Sequence, residues 1–547
     1  MGHTHSRGDH LLTETTRLPA ARVPDIEYRY LTFDTEVPLV PVLPDGIKHE
    51  LPTSPNLKKY DDPFTWSLKR KNLMTYLACS VNITAAYSAG SYASPAFELT
   101  EKWHISNTLY SFGITIFTIG FGVAPMVLAP FSEINGRRPV FIVTGLLFVL
   151  CQLCCAITQS FGGMLASRFF LGVGGSTFST MVGGILADVW VTADRNTPMV
   201  LFTGATLFGT GLGPLVSGFV AQNLSWRWVF YIQLITSGVL ITLVTLFFKE
   251  TRGSIIISRK AKALNKWYEQ LEASGAIGME ATLATSGPDL EKRSQPTTNT
   301  PQRIRFKVAA DEERATLFRM ISLSLYRPIH MLFTEPVVFW FSLWIAFSWA
   351  VLYLQFGSIP LVFQMNHGFD LQQSGAVFAA ICVGSIISTF LSIYQENWAV
   401  RRYPERFTGS PEGRLIFACV ESAFMPIGLF WFGWTCYSSI HWIVPTIAIT
   451  IATMGIFSIY LATFNYTADV YGSFASSALA ASGLCRNFLG GSFPLVTRQM
   501  FTGMGFQAAS SLLGGIGLAL TLVPWVLLFF GPKIRARSKI ATAFAAK

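Results

Sequence analysis

A single arginine interrupts a long apolar run in the sequence LASRFFLGVGGS (residues 165–176). A guanidinium inside hydrocarbon is costly, so Arg168 is a candidate functional residue, with a snorkelling structural arginine as the alternative. The glycines that follow it, Gly172, Gly174 and Gly175, permit two helices to approach closely. We therefore expect Arg168 to lie on a membrane helix that packs tightly against its neighbours.

A glycine-centred charge cluster stands between two other apolar runs, in APFSEINGRRPVF (residues 129–141). Gly136 suits a tight turn between helices, because glycine accepts a positive φ and close approach. Arg137 and Arg138 can bond helix carbonyls or a facing carboxylate, and Glu133 adds an acid. Two interpretations remain open: a latch between helical segments, or a positively charged anchor at the membrane surface.

A third pattern combines small residues with a proline in GTGLGPLVSG (residues 209–218). Gly209, Gly213 and Gly218 would lie close to one helical face, and Pro214 removes a backbone hydrogen bond. The pattern predicts a kinked helix with a flat, closely packing face. Generic packing of small residues is the alternative explanation.

The composition places these patterns in a membrane protein. The chain has 547 residues, of which 51% are hydrophobic and 13% charged, whereas a soluble domain has about 25% charged residues. Its eight cysteines fall mostly in apolar runs, and CQLCC (residues 151–155) has no nearby histidine or carboxylate. We read them as core residues. With no metal cluster, nucleophile triad or phosphate loop in the sequence, we expect no metal, no cofactor and no enzymatic activity.

Apolar stretches long enough to cross about 30 Å of hydrocarbon recur twelve times. Helices are the natural form, because each span must satisfy its own backbone hydrogen bonds. We place them near residues 72–95, 107–129, 139–158, 161–186, 198–221, 227–248, 333–356, 371–394, 414–436, 441–464, 473–497 and 507–530. This predicts an all-α membrane protein with a tail (1–70), a six-helix bundle (71–248), a central loop (249–330), a second six-helix bundle (331–531) and a second tail (532–547).

The basic residues predict the orientation. The net charge is +10, and we read it as a topology signal and not as a sign of nucleic-acid binding. Lysines and arginines concentrate in the tails, the even-numbered loops and the central loop, which should therefore be cytoplasmic. Residues 258–271 of the central loop could form a basic amphipathic helix on the inner leaflet. Residues 273–301 are typical of a flexible linker, and residues 1–70 of a loosely attached tail.

Together the three patterns resemble the signature motifs of the major facilitator superfamily, in its drug:proton antiporter branch with twelve spans. SWRWVFYI, PEGRL, NYTADVYG and GPKIRARSK are further similar to fungal multidrug-efflux members, and the resemblance covers about residues 70–540. The chain departs from the family pattern at Ala129, Glu133, Ile134 and Ser217, where glycine, aspartate, arginine and glycine are usual.

The resemblance implies a proton-coupled exporter of drugs, toxins or secondary metabolites in the plasma membrane, working as a monomer by alternating access. Two six-helix halves would enclose a central cavity. Gly209, Gly213, Pro214 and Gly218 would lie between the halves. Arg168 would line the cavity and bias the protonation of an acid. A proton-coupled importer or polyamine carrier keeps the same fold, and a sensor or membrane enzyme is the third class considered.

Proton coupling needs a carboxylate with a pKa near the working pH, which desolvation raises and an arginine lowers. Glu421 lies inside the ninth span, and this acid is not part of the family pattern. Glu335 and Asp469 stand at the ends of spans seven and ten, where they are alternatively interfacial caps.

Substrate contacts are expected from polar groups within the apolar helices, with Gly357 and Pro360 breaking the seventh helix near the cavity. Neighbouring aromatic rings would suit an amphiphilic, cationic or planar substrate, or would simply pack the helices. The candidates are Asn82, Tyr87, Tyr353, Gln355, Asn465, Tyr466, Arg486 and Asn487.

Overall fold

The structure is a computed structural model that describes residues 25–43, 51–192, 194–280, 301–312, 316–403, 410–538 and 542. The chain divides into two compact units. The larger unit comprises Asp62–Ile256 and Arg314–Lys547, and the smaller comprises Met1–Asp61 and Ile257–Glu313.

The larger unit contains a long helical segment at every position where the sequence predicts a span. We number these spans 1 to 12: Leu68–Ser91, Asn107–Asn135, Arg137–Ile157, Phe161–Val189, Asn196–Asn223, Arg227–Phe247, Pro336–His367, Leu371–Arg402, Pro411–Thr435, Ile443–Tyr471, Ala475–Met504 and Phe506–Arg537. Spans 8, 9 and 12 are interrupted, and their helices are Leu371–Val377, Ala379–Arg402, Pro411–Leu415 (3₁₀), Ile416–Glu421, Phe424–Thr435, Phe506–Leu520 and Leu522–Arg537. Shorter helices of this unit are Pro63–Thr65 (3₁₀), Ala96–Trp103, Leu317–Thr334 and Gly472–Phe474 (3₁₀), and the smaller unit has a 3₁₀ helix at Leu57–Tyr60.

Ten of these segments are long and apolar enough to cross a membrane among the described residues. Spans 1 and 11 are the two below that threshold, although they are helices of 24 and 30 residues. Their polar side chains Asn82, Arg486 and Asn487 are at most 3% exposed. The low hydropathy of both spans therefore reflects polar groups directed into the protein.

Local sequence signals explain where several spans begin. Span 4 starts after Ser160, whose side chain accepts a hydrogen bond from the amide of Gly163. Span 8 starts with a capping box, in which Asp370 and Gln373 each accept a hydrogen bond from the other's backbone amide. These side chains satisfy amides that have no partner within the helix.

Span 3 shows how the apolar sequence is divided between lipid and protein. Val143, Leu146 and Leu150, spaced at helical intervals, are more than half exposed. Phe141 and Phe148 on the other face are fully buried. An exposed apolar stripe of this kind is what a lipid-facing helix presents.

Spans 1 to 6 and spans 7 to 12 form two sets whose most extensive contacts are made by two helix pairs. Span 2 packs extensively on span 11, and span 5 packs on span 8. We call the end of the bundle where the even-numbered spans finish the basic end. The expected break in span 7 is wrong, because one helix continues through Gly357 and Pro360 to His367.

The smaller unit has a four-stranded sheet in the order β1-β4-β3-β2. Its strands are β1 (Ile26–Tyr30), β2 (Pro41–Val42), β3 (Gly278–Glu280) and β4 (Pro301–Lys307). Strand β1 pairs in parallel with β4, whereas β3 pairs antiparallel with both β4 and β2. The expectation of a loosely attached tail and a plain linker fails here, because segments of both pair in one sheet. Residues 281–300 of that linker lie outside the described residues.

A helix, Gly253–Ala273, supplies the other layer of the smaller unit's core. Leu264, Tyr268 and Leu271 are buried in one apolar cluster with Ile304 and Phe306 of β4. The amphipathic helix predicted for residues 258–271 therefore exists, but its apolar face is covered by the sheet and is not free for the inner leaflet. A short helix, Ala309–Glu312, follows β4.

Candidate functional site

Arg168 lies fully buried in span 4, so its side chain does not snorkel to the membrane surface. Nη1 donates to the carbonyl oxygen of Ser88 at 2.9 Å, and Nε donates to that of Gly113 at 3.3 Å. The guanidinium also lies 4.6 Å and 4.4 Å from the ring centres of Tyr92 and Phe117. Arg168 thus connects span 4 to span 1 and span 2, and Nη2 has no hydrogen-bond partner among the described residues.

A buried amide network that the sequence analysis missed lies beside this arginine. Nε2 of Gln152 donates to Oγ of Ser88 and to Oε1 of Gln233, both at 2.9 Å. Nε2 of Gln233 donates in turn to Oγ of Ser91 at 2.9 Å. One glutamine in each of two apolar helices was the available signal, because buried amides in lipid require partners.

Arg486 is the corresponding buried cation of the second set of spans, at 3% exposure in span 11. Its guanidinium lies 4.7 Å from the ring centre of Trp349 and 5.2 Å from that of Tyr460. Nε and Nη1 are buried with no hydrogen-bond partner among the described residues. The neighbouring Asn487 donates to the carbonyl oxygen of Gly483.

Of the candidates in spans 1 and 7, Asn82, Tyr353 and Gln355 are buried and Tyr87 is partly buried. Nδ2 of Asn82 donates to Oγ1 of Thr206 at 2.6 Å, and the hydroxyl of Tyr87 lies 3.4 Å from Oγ of Ser217. These bonds connect span 1 to span 5. Tyr353 and Gln355 are both 5% exposed in span 7.

A cavity of about 610 Å³ opens at the basic end, lined by spans 8, 9 and 10 and by the loop between spans 4 and 5. Three carboxylates line it: Glu396, Glu421 and Asp469. Arg414 bridges two of these, at 2.9 Å from Glu396 and 3.2 Å from Asp469. Oε1 of Glu421 is buried without a hydrogen-bond partner among the described residues. Asn465 also lines this cavity.

Two other candidates lie in the interior away from this cavity. Tyr466 is fully buried, with its hydroxyl 3.5 Å from Glu412. Glu335 is 4% exposed at the start of span 7, and it accepts a hydrogen bond from the hydroxyl of Tyr471 at 3.2 Å. Within the described part of the chain, no group of three histidine, cysteine, aspartate or glutamate side chains is placed to hold a metal ion.

The charge cluster around Gly136 is organised by two acids that the sequence analysis did not single out. Glu250 accepts the backbone amides of Arg137 at 2.9 Å and of Arg138 at 3.3 Å, at the start of span 3. Asp188 accepts from Nε of Arg137 at 3.0 Å. Gly136 has φ +100°, which favours glycine. Glu133 takes part in none of these contacts.

The glycines of span 5 face two different neighbours. A Cβ added at Gly209 or Gly213 would lie 2.5 Å or 2.4 Å from a backbone carbonyl oxygen of span 1. A Cβ at Gly218 would lie 2.9 Å from Cα of Gly375 in span 8. The helix remains continuous through Pro214. Of the three glycines, Gly218 is therefore the one placed where the two sets of spans meet.

Two sets of six spans with an intramembrane arginine in each, and a cavity open at one end, define a polytopic helical transporter fold. Residues 77–494 match the family model of the Major Facilitator Superfamily, and the chain belongs to that family. It is therefore a multi-pass membrane protein of a family of transporters of small molecules, and not an enzyme.

Several fungal proteins are similar along most of their length. The transporter paaT of Penicillium rubens is 32% identical over 88% of this chain and 82% of its own. The multidrug transporter TPO1_2 of Candida glabrata is 30% identical over 92% of this chain and 82% of its own. The citrinin biosynthesis cluster transporter mrr1 of Monascus ruber is 30% identical over 88% and 90%.

Among solved structures, the fold is similar to the xylose transporter XylE of E. coli in a partially occluded inward-open conformation. The TM-score is 0.56 at 13% identity, covering 84% of this chain and 97% of XylE. The human organic anion transporter MFSD10 has a TM-score of 0.52 at 15% identity, covering 83% and 99%. At these identities the likeness concerns the fold alone.

Proposed function

We propose that this protein exports small amphiphilic compounds, such as drugs, toxins or secondary metabolites, in exchange for protons. It acts in the plasma membrane as a monomer, with both termini and the basic end cytoplasmic. The names of its relatives support export, because they include multidrug transporters and an efflux pump of Gibberella moniliformis. The positive-inside distribution of lysine and arginine supports the orientation.

The proposal rests on a difference between the two ends of the bundle: the basic end is open, and the other end is closed. At the basic end, the cavity of about 610 Å³ admits a molecule from the cytoplasm. At the other end, Nδ2 of Asn223 lies 3.2 Å from Oε1 of Gln372, and Nε2 of Gln499 donates to Thr108 at 2.6 Å. Both bonds join one set of spans to the other. An exporter loads its substrate in such a state and releases it after the two halves, residues 71–248 and 331–531, rock.

Within this proposal Glu421 carries the proton. Asp469 is paired with Arg414, and Glu335 accepts a hydrogen bond from Tyr471. Glu421 takes part in no ion pair among the described residues, and its Oε1 is buried there without a hydrogen-bond partner. A carboxylate in that position gains or loses a proton without breaking an ion pair. Arg168 keeps a positive charge at the centre and connects the helices that must move together.

The test uses the full-length protein in liposomes with an imposed pH gradient and a fluorescent amphiphilic dye. We expect dye movement in exchange for protons in the wild type, abolished by an uncoupler. Glu421→Gln should retain dye binding and lose the dependence of transport on the gradient. Glu412→Gln is the matched control, because Glu412 lies in the same span as Glu421 but is paired with Arg535 of span 12. A gradient-driven co-transport of dye and protons in the same direction would instead support an importer, and an unchanged pH profile in Glu421→Gln would remove Glu421 from the mechanism.

A further inference from the structure

Two arginines are buried in the interior of the bundle. They come from opposite sets of spans, Arg168 from span 4 and Arg486 from span 11. Neither guanidinium takes part in an ion pair among the described residues. Three guanidinium nitrogens, Nη2 of Arg168 and Nε and Nη1 of Arg486, are buried and find no hydrogen-bond acceptor in the described part of the chain.

Burying these two guanidinium groups is unfavourable in free energy when no ligand is bound. A guanidinium carries five N–H donors and stays protonated, so the charge cannot be relieved by titration. Burying it without a negative partner costs several kcal/mol, of which stacking on aromatic rings recovers a part. Arg168 donates two hydrogen bonds to carbonyl oxygens, whereas no such bond occupies Nε or Nη1 of Arg486. Of the two arginines, Arg486 therefore has more free N–H groups with which to bind an anion.

The aromatic rings around Arg486 indicate which chemical group a bound anion would have beside its negative charge. Trp349 and Tyr460 flank the guanidinium, and their ring centres lie 5.4 Å apart. Tyr353 lies 6.0 Å from Trp349, and Phe464 stacks on Tyr460 at 4.7 Å. Planar apolar groups pack well among such rings. Span 10, which carries Tyr460, also lines the cavity at the basic end.

We propose that Arg486 is a specificity-determining residue that binds the carboxylate of an aromatic organic acid, whose ring packs against Trp349, Tyr353 and Tyr460. This inference rests on the proposed export function and names the substrate class. It replaces the cationic substrate considered from the sequence with an anionic one. Charge-assisted N–H bonds from the guanidinium to a carboxylate are stronger than those to a neutral acceptor, and this gives selectivity over a neutral amide of the same shape.

The first test measures binding to the full-length protein in lipid nanodiscs by calorimetry, with three probes of one shape. The probes are 1-naphthoate, 1-naphthamide and 1-naphthylmethylamine, which are anionic, neutral and cationic. We expect naphthoate to bind roughly 10- to 100-fold more tightly than the other two, as hydrogen bonds to a charged group imply. Equal binding of naphthoate and naphthamide by the wild type overturns the proposal without any variant.

The second test removes the guanidinium. Arg486→Gln should weaken naphthoate binding by about 10-fold or more and change naphthamide binding little. Arg486→Lys keeps the charge but loses the planar guanidinium. Its affinity for naphthoate should therefore lie between those of the wild type and Arg486→Gln. Arg498→Gln is the matched control, because it removes one exposed positive charge from the same span. An equal loss for both probes in Arg486→Gln means that the residue supports packing only.

The final comparison separates this inference from the export function and from simple ion binding. Naphthoate binding is repeated in chloride and in gluconate buffer. If chloride binds and naphthoate does not, the site holds an inorganic anion and the proposal is wrong. If naphthoate binds through Arg486 but no pH gradient moves it or the dye, the export function fails while the anion site stands. If the dye is exported and Arg486→Gln leaves naphthoate binding unchanged, only the anion site fails.

Discussion

Nε of Arg137 lies 3.0 Å from Oδ2 of Asp188, and this ion pair joins the start of span 3 to the end of span 4. The two side chains are only 9% and 13% exposed, so water screens the pair weakly. Arg252, in the segment that follows span 6, reaches the same carboxylate at 3.4 Å but is 34% exposed. Asp188 thus holds spans 3 and 4 and the segment after span 6 together.

Asp188→Asn should destabilise the protein by about 3 kcal/mol, because it leaves the buried Arg137 without a counter-charge. Unfolding by titration with sodium dodecyl sulfate in mixed micelles measures this difference. Arg252→Gln is the control and should cost less than about 1 kcal/mol, since that pair is partly exposed. Equal effects of the two substitutions would contradict the ranking of the two ion pairs.

Gly136→Ala should also destabilise the bundle, here for a backbone reason. Gly136 has φ +100°, and a Cβ there would lie 2.3 Å from Oε2 of Glu250. The strained backbone conformation costs roughly 1–3 kcal/mol, and the displaced carboxylate adds to it. Gly162→Ala is the control, because nothing lies within 4 Å of its added Cβ. The same unfolding titration applies, and a Gly136→Ala protein as stable as Gly162→Ala would contradict the geometry.

Closing the end of the bundle opposite the basic end should stop transport. Asn223 and Gln372 lie there on spans 5 and 8, with side-chain atoms 3.2 Å apart. We expect Asn223→Cys combined with Gln372→Cys to react with a short thiol cross-linker and lose dye transport, with recovery after reduction. Each single variant should keep transport after the same treatment. Full transport by the cross-linked protein would show that this end need not open.

The smaller unit should lose stability in acid through Glu272. Burial raises the pKa of this carboxyl, but the hydrogen bonds and charges of Arg303 and Arg305 outweigh burial and hold the pKa below its ordinary value of 4.5. A lowered pKa in the folded state contributes stability above the unfolded value, and this contribution disappears as the pH falls through the folded value.

Hydrogen exchange in strand β4 of the full-length protein, corrected for the intrinsic effect of pH, measures this loss. Protection should fall on acidification below about pH 4.5 in the wild type, and Glu272→Gln should show weaker protection at neutral pH with less dependence on pH. Glu269→Gln is the control, because Glu269 is 65% exposed and lies 3.8 Å from Arg305. An identical pH profile in Glu272→Gln and the wild type would contradict the role of Glu272.

The positions of the spans were predictable because hydropathy and length follow directly from the bilayer. The burial of Arg168 also followed from its position in an apolar run. The partners of these residues were not predictable in the same way. Asp188 and Glu250 are separated from Arg137 by many residues, and only the packing of spans 3, 4 and 6 brings them together.

The smaller unit was missed for a related reason. Strand β1 has the sequence IEYRY, which is too short and too polar to stand out in a segment rich in proline. Its hydrogen-bond partner, β4, lies beyond six spans in the sequence. Pairing between such distant segments leaves no periodic signal in either one. The amphipathic pattern of residues 258–271 was visible, but the pattern alone does not distinguish a lipid surface from a sheet.

Synthesis of the chain imposes an order on the smaller unit. Residues 26–30 leave the ribosome before the first span, while residues 303–307, with which they pair, follow only after the sixth. The backbone amides and carbonyls of β1 must therefore wait without their native partner throughout insertion of the first half. The sheet can therefore form only after the first six spans have been synthesised. In that interval, chaperones that shield extended segments can bind β1.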